Sequence, residues 1–153
     1  MPFRYKLQRF LDFRIRKKEE QLQEVLKAKA EVERIQGLID ENRQEINGVI
    51  KTMRMTRDYR MMDSYDKYLK HLYVKEEELF EQKRMAEEQL EIEKQKLVER
   101  EKEVKVLEKH KEKAKELYIE EEKQAENKLL SEVAVQKHFQ KTRDRKEEEG
   151  EDD

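Results

Sequence analysis

The chain of 153 residues contains no cysteine and no tryptophan, and it has only 3 glycines and 1 proline. Without cysteine there can be no disulfide framework and no thiolate zinc site, and a reducing compartment suits such a composition. With so few turn-forming residues, a many-stranded sheet or a loop-rich enzyme is nearly excluded. Charged residues make up 48% of the chain, which indicates long helices if the apolar residues are periodic and disorder if they are not.

Long apolar runs are absent as well. No stretch of the sequence approaches the roughly 18 residues of a membrane-spanning helix, and residues 1–15 lack the apolar core of a secretory signal. The net charge of -2 conceals a gradient, because residues 1–18 carry seven basic side chains against Asp12 alone, whereas residues 146–153 are strongly acidic. We therefore expect a cytoplasmic protein with a basic start and an acidic end.

A seven-residue repeat of apolar side chains runs through the first third of the chain. Its members are Val25, Val32, Ile39, Ile46 and Met53, with Ala28, Ile35, Asn42 and Val49 at the intervening positions. This heptad seam, polar only at Asn42, predicts a coiled-coil helix over about residues 5–57.

A second, weaker seam extends from Leu69 to Ala125 with the same spacing. It is interrupted by Glu76, Lys83, Glu93, Arg100, Lys111 and Glu121. It predicts a helix over about residues 64–143, with Asp63 or Ser64 as the N-cap, after a turn at about residues 58–63. Residues 144–153 are expected to form a disordered acidic tail. The predicted fold is all-α, a long two-helix antiparallel coiled-coil hairpin over residues 1–143 in which the second helix is the longer.

The position of the turn determines which residues meet. A turn centred near Met61 sets Met53 near Leu69, but it places Ile46 opposite Glu76 and Ile39 opposite Lys83. At about 1.5 Å per residue, the second helix extends well beyond the first. We therefore expect the segment after about Tyr118 to have no partner within the chain.

The sequence offers little material for catalysis. Its histidines, His71, His110 and His138, are too far apart in sequence for a short metal motif, and we interpret them as surface or packing residues. We find no Gly-rich phosphate loop and no hydroxyl nucleophile beside a base. A hairpin also lacks the concave pocket that most active sites need. We expect no enzymatic activity, no cofactor and no metal.

Two aromatic clusters remain. The first, around Phe3, Phe10 and Phe13, lies among the basic residues of the start. Partner docking is the favoured interpretation, ahead of packing within the hairpin and of binding to lipid or nucleic acid. The second cluster, at residues 65–73, contains more rings than one seam can hold, so it either closes the hairpin or forms a binding patch.

Three stretches of the sequence resemble the FliJ family of flagellar type III export coiled-coil proteins. They are Phe3-Arg-Tyr-Lys-Leu-Gln-Arg-Phe-Leu11, Tyr65-Asp-Lys-Tyr-Leu-Lys-His-Leu72 and Glu126-Asn-Lys-Leu-Leu-Ser-Glu-Val-Ala134, followed by Phe139. The length and the two-helix layout extend the resemblance over almost the whole chain. It implies a stalk in the pore of a hexameric export ATPase, with paired N- and C-terminal ends entering the ring. It also implies contacts with the cytoplasmic domain of the export gate and with export chaperones, at the cytoplasmic face of the cell membrane.

The resemblance also implies two sets of contact residues. The residues expected to bind the ATPase are Arg4, Lys6, Arg9, Phe10, Arg14, Arg16, Leu130, Val133, Lys137 and Phe139. The residues expected to face the export gate are Leu38, Tyr68, Leu72 and Leu79. Glu41 and Glu45 stand where the resemblance would lead one to expect aromatic contacts.

Two alternatives stay open beside a flagellar export stalk. One is a structural coiled-coil scaffold that dimerises through its own seams and has no ATPase partner. The other is an injectisome counterpart of the stalk without a flagellar role. No nucleic-acid partner and no membrane span are expected in any of these cases.

Overall fold

A computed structural model describes residues 2–151, apart from the side chain of Glu151. Two helices make up the fold: α1 spans Gln8–Met55 (48 residues) and α2 spans Tyr59–Glu151 (93 residues). The described residues include no strand. Because the two helices pack against each other, the predicted all-α hairpin with a longer second helix is confirmed.

The chain forms two compact units. The first, here called the hairpin unit, is Phe10–Lys105. The second, here called the terminal unit, combines the first nine residues with the part of α2 that begins at Val106.

The heptad seam of α1 is the core of the hairpin unit. Its members Val25, Ile35, Ile39, Asn42, Ile46 and Val49 are buried, and Ala28, Val32 and Met53 are half-buried. On α2, Leu69, Leu72, Leu79, Glu93 and Val104 are buried at the same spacing. The two helices of this unit thus pair because one stripe of each can be removed from water against the other.

The register of the hairpin differs from the predicted one. Ile46 packs with Val49, Leu69 and Leu72, so it does not lie opposite Glu76 as expected. Ile39 likewise packs with Ile35 and Leu79 rather than facing Lys83. The connection between the helices is centred near residue 57 instead of 61, and this moves each partner by about two helical turns. The apolar seams of the two helices still face each other, because a heptad repeat recurs every seven residues, which is about two helical turns.

The turn is shorter and earlier than predicted, because α1 ends at Met55 and α2 begins at Tyr59. The carboxylate of Asp58 accepts a hydrogen bond from the backbone N–H of Arg60 at 3.0 Å, the usual role of an N-cap. Asp63, one of the predicted caps, lies inside α2 and pairs with Lys67 at 3.4 Å. Ser64, the other predicted cap, is also helical.

The outer ends of both helices also differ from expectation. α1 begins at Gln8, not near residue 5. The chain makes a turn before the helix, in which the backbone N–H of Gln8 donates to the carbonyl oxygen of Tyr5 at 3.2 Å. α2 continues through residues 144–151, where a disordered tail was expected. Residues 141–149 are mostly Lys, Arg and Glu, which are good helix formers. Residues 152 and 153 of that predicted tail lie outside the described part.

Neither described helix has a stretch that is long and apolar enough to cross a membrane.

Candidate interaction surfaces

The start of the chain packs on α2 within the terminal unit. Tyr5 is 9% exposed, and its phenol oxygen lies 2.6 Å from Nδ1 of His110 and 3.5 Å from the carbonyl oxygen of Leu107. The ring of Phe3 lies 5.5 Å from that of Tyr118. The first two aromatic residues are therefore used inside the chain, and this packing gives His110 a partner.

The next two phenylalanines remain accessible in the hairpin unit. Phe10 and Phe13 are about half exposed, and each carries a cation over its ring. The guanidinium of Arg14 lies 4.7 Å from the centroid of Phe10, and the ammonium of Lys17 lies 5.4 Å from that of Phe13. Cations held over aromatic rings make a surface that is both apolar and positive.

The basic residues expected to bind the ATPase fall into two groups. Arg4, Lys6 and Arg9 of the terminal unit are exposed, as is Arg16 of the hairpin unit. Arg14 is half-buried and donates a hydrogen bond to the carbonyl oxygen of Glu103 at 3.2 Å. Arg14 thus supports the packing of α1 on α2, whereas the other four can meet a partner without breaking a contact described here.

The C-terminal half of the expected ATPase contacts lies on an exposed helix. Leu130, Val133 and Phe139 are 61%, 41% and 66% exposed, and Lys137 is exposed too. Every residue from Ile119 to Gly150 is exposed, as expected for the part of the second helix that extends beyond the first.

The start of the chain and this exposed segment are not brought together. Among the described residues, the start is in ring contact with α2 as far along as Tyr118, and Leu130 lies twelve residues further, about 18 Å along the helix. At helical spacing, Leu130, Val133 and Lys137 share one face, whereas Phe139 projects from the opposite face. The expected pairing of the two ends is therefore a contact of residues 3–5 with residues 107–118, and residues 130–139 form a separate surface.

The residues expected to face the export gate differ in exposure, because some of them belong to the buried seam. Leu72 and Leu79 are 4% and 5% exposed, so the structure places both in the core rather than on a surface. Leu38 is half-buried and packs on the cluster around Ile39. Tyr68 is 42% exposed, which leaves it as the accessible member of the set.

Tyr68 is held in place by a residue of α1. Its hydroxyl donates to Oε1 of Glu45 at 3.1 Å, and this hydrogen bond raises the pKa of the tyrosine hydroxyl. Glu45 stands where the family resemblance suggested an aromatic residue, and here it orients the ring from the neighbouring helix. Tyr73, Val74 and Phe80 are also about half exposed on α2, so the aromatic cluster does contain more rings than the seam holds.

The seam contains buried polar groups whose hydrogen bonds were not predicted from the sequence. The carboxylate of Glu93, 9% exposed, accepts hydrogen bonds from Gln21 and Gln89 and pairs with Lys96. The hydrogen bond from Gln21, supported by the charge of Lys96, lowers the pKa of Glu93. Gln21 lies four residues before Val25 on the seam of α1, and this spacing is the signal that could have identified it.

Asn42 is the second polar residue of the seam. It is 4% exposed, and its amide nitrogen donates to the carbonyl oxygen of Leu72 at 3.0 Å. Its Oδ1 atom has no hydrogen-bond partner. Such half-satisfied residues are costly, and in coiled coils they serve to select one register.

The surface hollows of the chain are shallow. One of about 400 Å³ in the terminal unit is lined by Phe3, Tyr5, Leu7, His110 and Ala114, beside Arg4 and Lys6. Across the described residues, no group of three or more histidines and carboxylates is placed to hold a metal ion. Comparisons with protein-family models, with curated proteins and with solved structures find no match to this chain.

Proposed function

We propose that this protein is the central stalk of a type III protein export apparatus. It binds a hexameric export ATPase, promotes the assembly or turnover of that ATPase, and contacts the export gate and export chaperones. In this role it has no catalytic activity of its own. The resemblance of its three sequence stretches to the FliJ family is the starting point, and a flagellar apparatus is the system that this resemblance favours.

One structural observation carries the proposal. α2 extends beyond Tyr118, which the ring of Phe3 contacts, and from Ile119 to Gly150 it is exposed on all sides. The start itself exposes Arg4, Lys6 and Arg9 in the same unit. A ring of subunits can surround a single exposed helix, and charge-rich contacts on every face suit a partner that contacts it from several directions.

ATP hydrolysis by the cognate export ATPase tests the first contact. Adding the full chain should raise turnover, and replacing the exposed Arg9 and Arg16 by Glu should reduce that gain, because both charges are available to a partner. The matched control reverses Lys67 and Lys70, which are exposed near the turn. Unchanged turnover together with no co-elution of the two proteins would contradict the proposal.

The gate contact needs a different variant. Leu72 is unsuitable because its truncation would open the core, whereas Tyr68→Ala removes an accessible ring. We expect Tyr68→Ala to lower export and to leave the stimulation of the ATPase intact. Tyr68→Phe keeps the ring and loses only the hydrogen bond to Glu45, so it should retain most of the export. Loss of both activities in Tyr68→Ala would show that the two surfaces are not separable.

A structural scaffold remains the second candidate, and the exposed apolar side chains of α2 are what favour it. The molar mass measured by light scattering distinguishes the scaffold from the stalk. A tight dimer whose mass does not change with concentration, and which does not bind the ATPase, would favour the scaffold.

A further inference from the structure

The exposed segment of α2 carries an apolar stripe that does not continue the hairpin seam. The seven-residue repeat would place seam side chains at positions 121, 125, 128, 132, 135 and 139, which hold Glu, Ala, Lys, Glu, Val and Phe. A second apolar group, Leu129, Leu130, Val133 and Ala134, stands on a different face of the helix, and all four of its side chains are exposed. Their spacing puts them on one face of the helix. This apolar stripe is therefore not a remnant of the packing between α1 and α2.

The charges on either side of the stripe have opposite signs. Residues 119–132 carry five glutamates against two lysines, whereas residues 137–146 carry five basic side chains against one aspartate. Two copies of this segment laid side by side in parallel would oppose like charges. In the antiparallel arrangement, each acidic stretch faces the basic stretch of the other copy, and the apolar stripes meet at the centre.

We propose that this segment binds a second copy of the chain as an antiparallel, two-fold symmetric helix pair centred between Ser131 and Glu132. Leu130 of one copy then faces Val133 of the other, and Glu126 faces Lys137. The interface is isologous, because the same stripe serves both partners. The dimer covers Leu130 and Val133, two of the residues proposed to contact the ATPase, and the ATPase therefore competes with the second copy for the stripe.

Sedimentation of the full chain over a wide concentration range tests the association. We expect a reversible dimer that weakens between about 0.05 M and about 0.5 M salt, because screening removes the attraction of the opposed charges. Val133→Lys should weaken dimerisation by about tenfold or more, since it places a charge against Leu130 of the other copy. Val135→Lys, on the opposite face of the same helix, is the matched control and should leave the dimer intact.

The absence of cysteine from the chain makes the orientation directly measurable. A mixture of Glu126→Cys and Lys137→Cys should form a mixed disulfide on mild oxidation. Neither variant should link to itself, because identical positions lie about 16 Å apart along the antiparallel axis, beyond the reach of a disulfide.

Three outcomes would overturn the proposal: a monomer at every concentration, equal dimerisation of Val133→Lys and of the parent chain, or Glu126→Cys linking to itself. Circular dichroism checks that each variant is helical. Because no ATPase is present in these experiments, their failure leaves the proposed stalk function standing, and failure of the ATPase assay leaves the dimer standing.

Discussion

The two parts of α2 contrast sharply although their compositions are alike. In residues 59–118 a side chain is buried or half-buried at every third or fourth position, whereas in residues 119–150 every side chain is exposed. Both parts are rich in Glu, Lys and Arg, which favour helix wherever they occur. The contrast teaches that helix formation and helix pairing are separate properties of this sequence, and that only the seven-residue repeat distinguishes them.

The largest expected difference between the two parts is in amide hydrogen exchange. A helix without a packed face is held mainly by its own hydrogen bonds and opens easily, whereas seam residues exchange only through larger unfolding events. In the isolated chain at low concentration, we expect amides in 122–150 to exchange about a thousandfold or more faster than those near Leu69 and Leu72. Mass spectrometry of exchanged peptides measures this, and equal protection would mean that the exposed segment has a partner within the chain.

Truncating one buried and one exposed side chain should change the free energy of unfolding by very different amounts. Ile46 is 1% exposed and Leu130 is 61% exposed. We expect Ile46→Ala to lower the free energy of unfolding by about 2–5 kcal/mol, because it removes buried methyl groups and leaves a cavity. Leu130→Ala should change it by about 0.5 kcal/mol or less. Urea titration followed by circular dichroism measures both, at a concentration low enough to keep the chain monomeric.

Replacing Asn42 tests whether this polar seam residue lowers the stability of the hairpin while it selects the register. Asn42→Val removes a buried oxygen that has no partner, so we expect the free energy of unfolding to rise by about 1 kcal/mol. Gln23→Val on the exposed side of α1 controls for the helix propensity of valine. A loss of stability in Asn42→Val would instead show that the hydrogen bond to Leu72 outweighs the unpaired oxygen.

The smallest expected effect concerns pH and Glu93. Because the pKa of Glu93 is lowered in the folded chain, the ionised side chain stabilises the fold above the ordinary pKa of a glutamate. This contribution is lost as the pH falls through the lowered value. We expect the stability difference between the parent chain and Glu93→Gln to shrink as the solution is acidified through that range. Glu78→Gln, at an exposed position, is the control, and a difference that grows on acidification would contradict the assignment.

Much of the fold could be predicted because its signals are local. The spacing of Val25, Ile39 and Ile46 identified the buried stripe of α1, and the lack of Gly and Pro predicted one long second helix. The register could not be predicted, since a slide of two turns along α2 still places apolar residues against the stripe of α1. Asn42 and Gln21, which make specific hydrogen bonds across the helices, give information that periodicity does not contain.

The candidate surfaces were predicted less well than the fold. The resemblance suggested Leu72 and Leu79 as partner contacts, but the seam buries them. It also joined the start of the chain to residues 130–139, whereas the described residues of the start pack on α2 near His110 and Tyr118. Exposure depends on which residues of the other helix lie opposite, and this information is spread over residues far apart in the sequence.

The sequence by itself determined that this protein is a helical hairpin with one long arm and a charged surface. It did so because 48% charge with a narrow apolar repeat can bury a seam and little else. Only the tertiary structure decided which seam residues meet, that Phe3 and Tyr5 pack on α2, and that the apolar stripe around Val133 is left exposed. The physical reason is that a repeat specifies which face of a helix is apolar, whereas side-chain shape and buried hydrogen bonds select its partner.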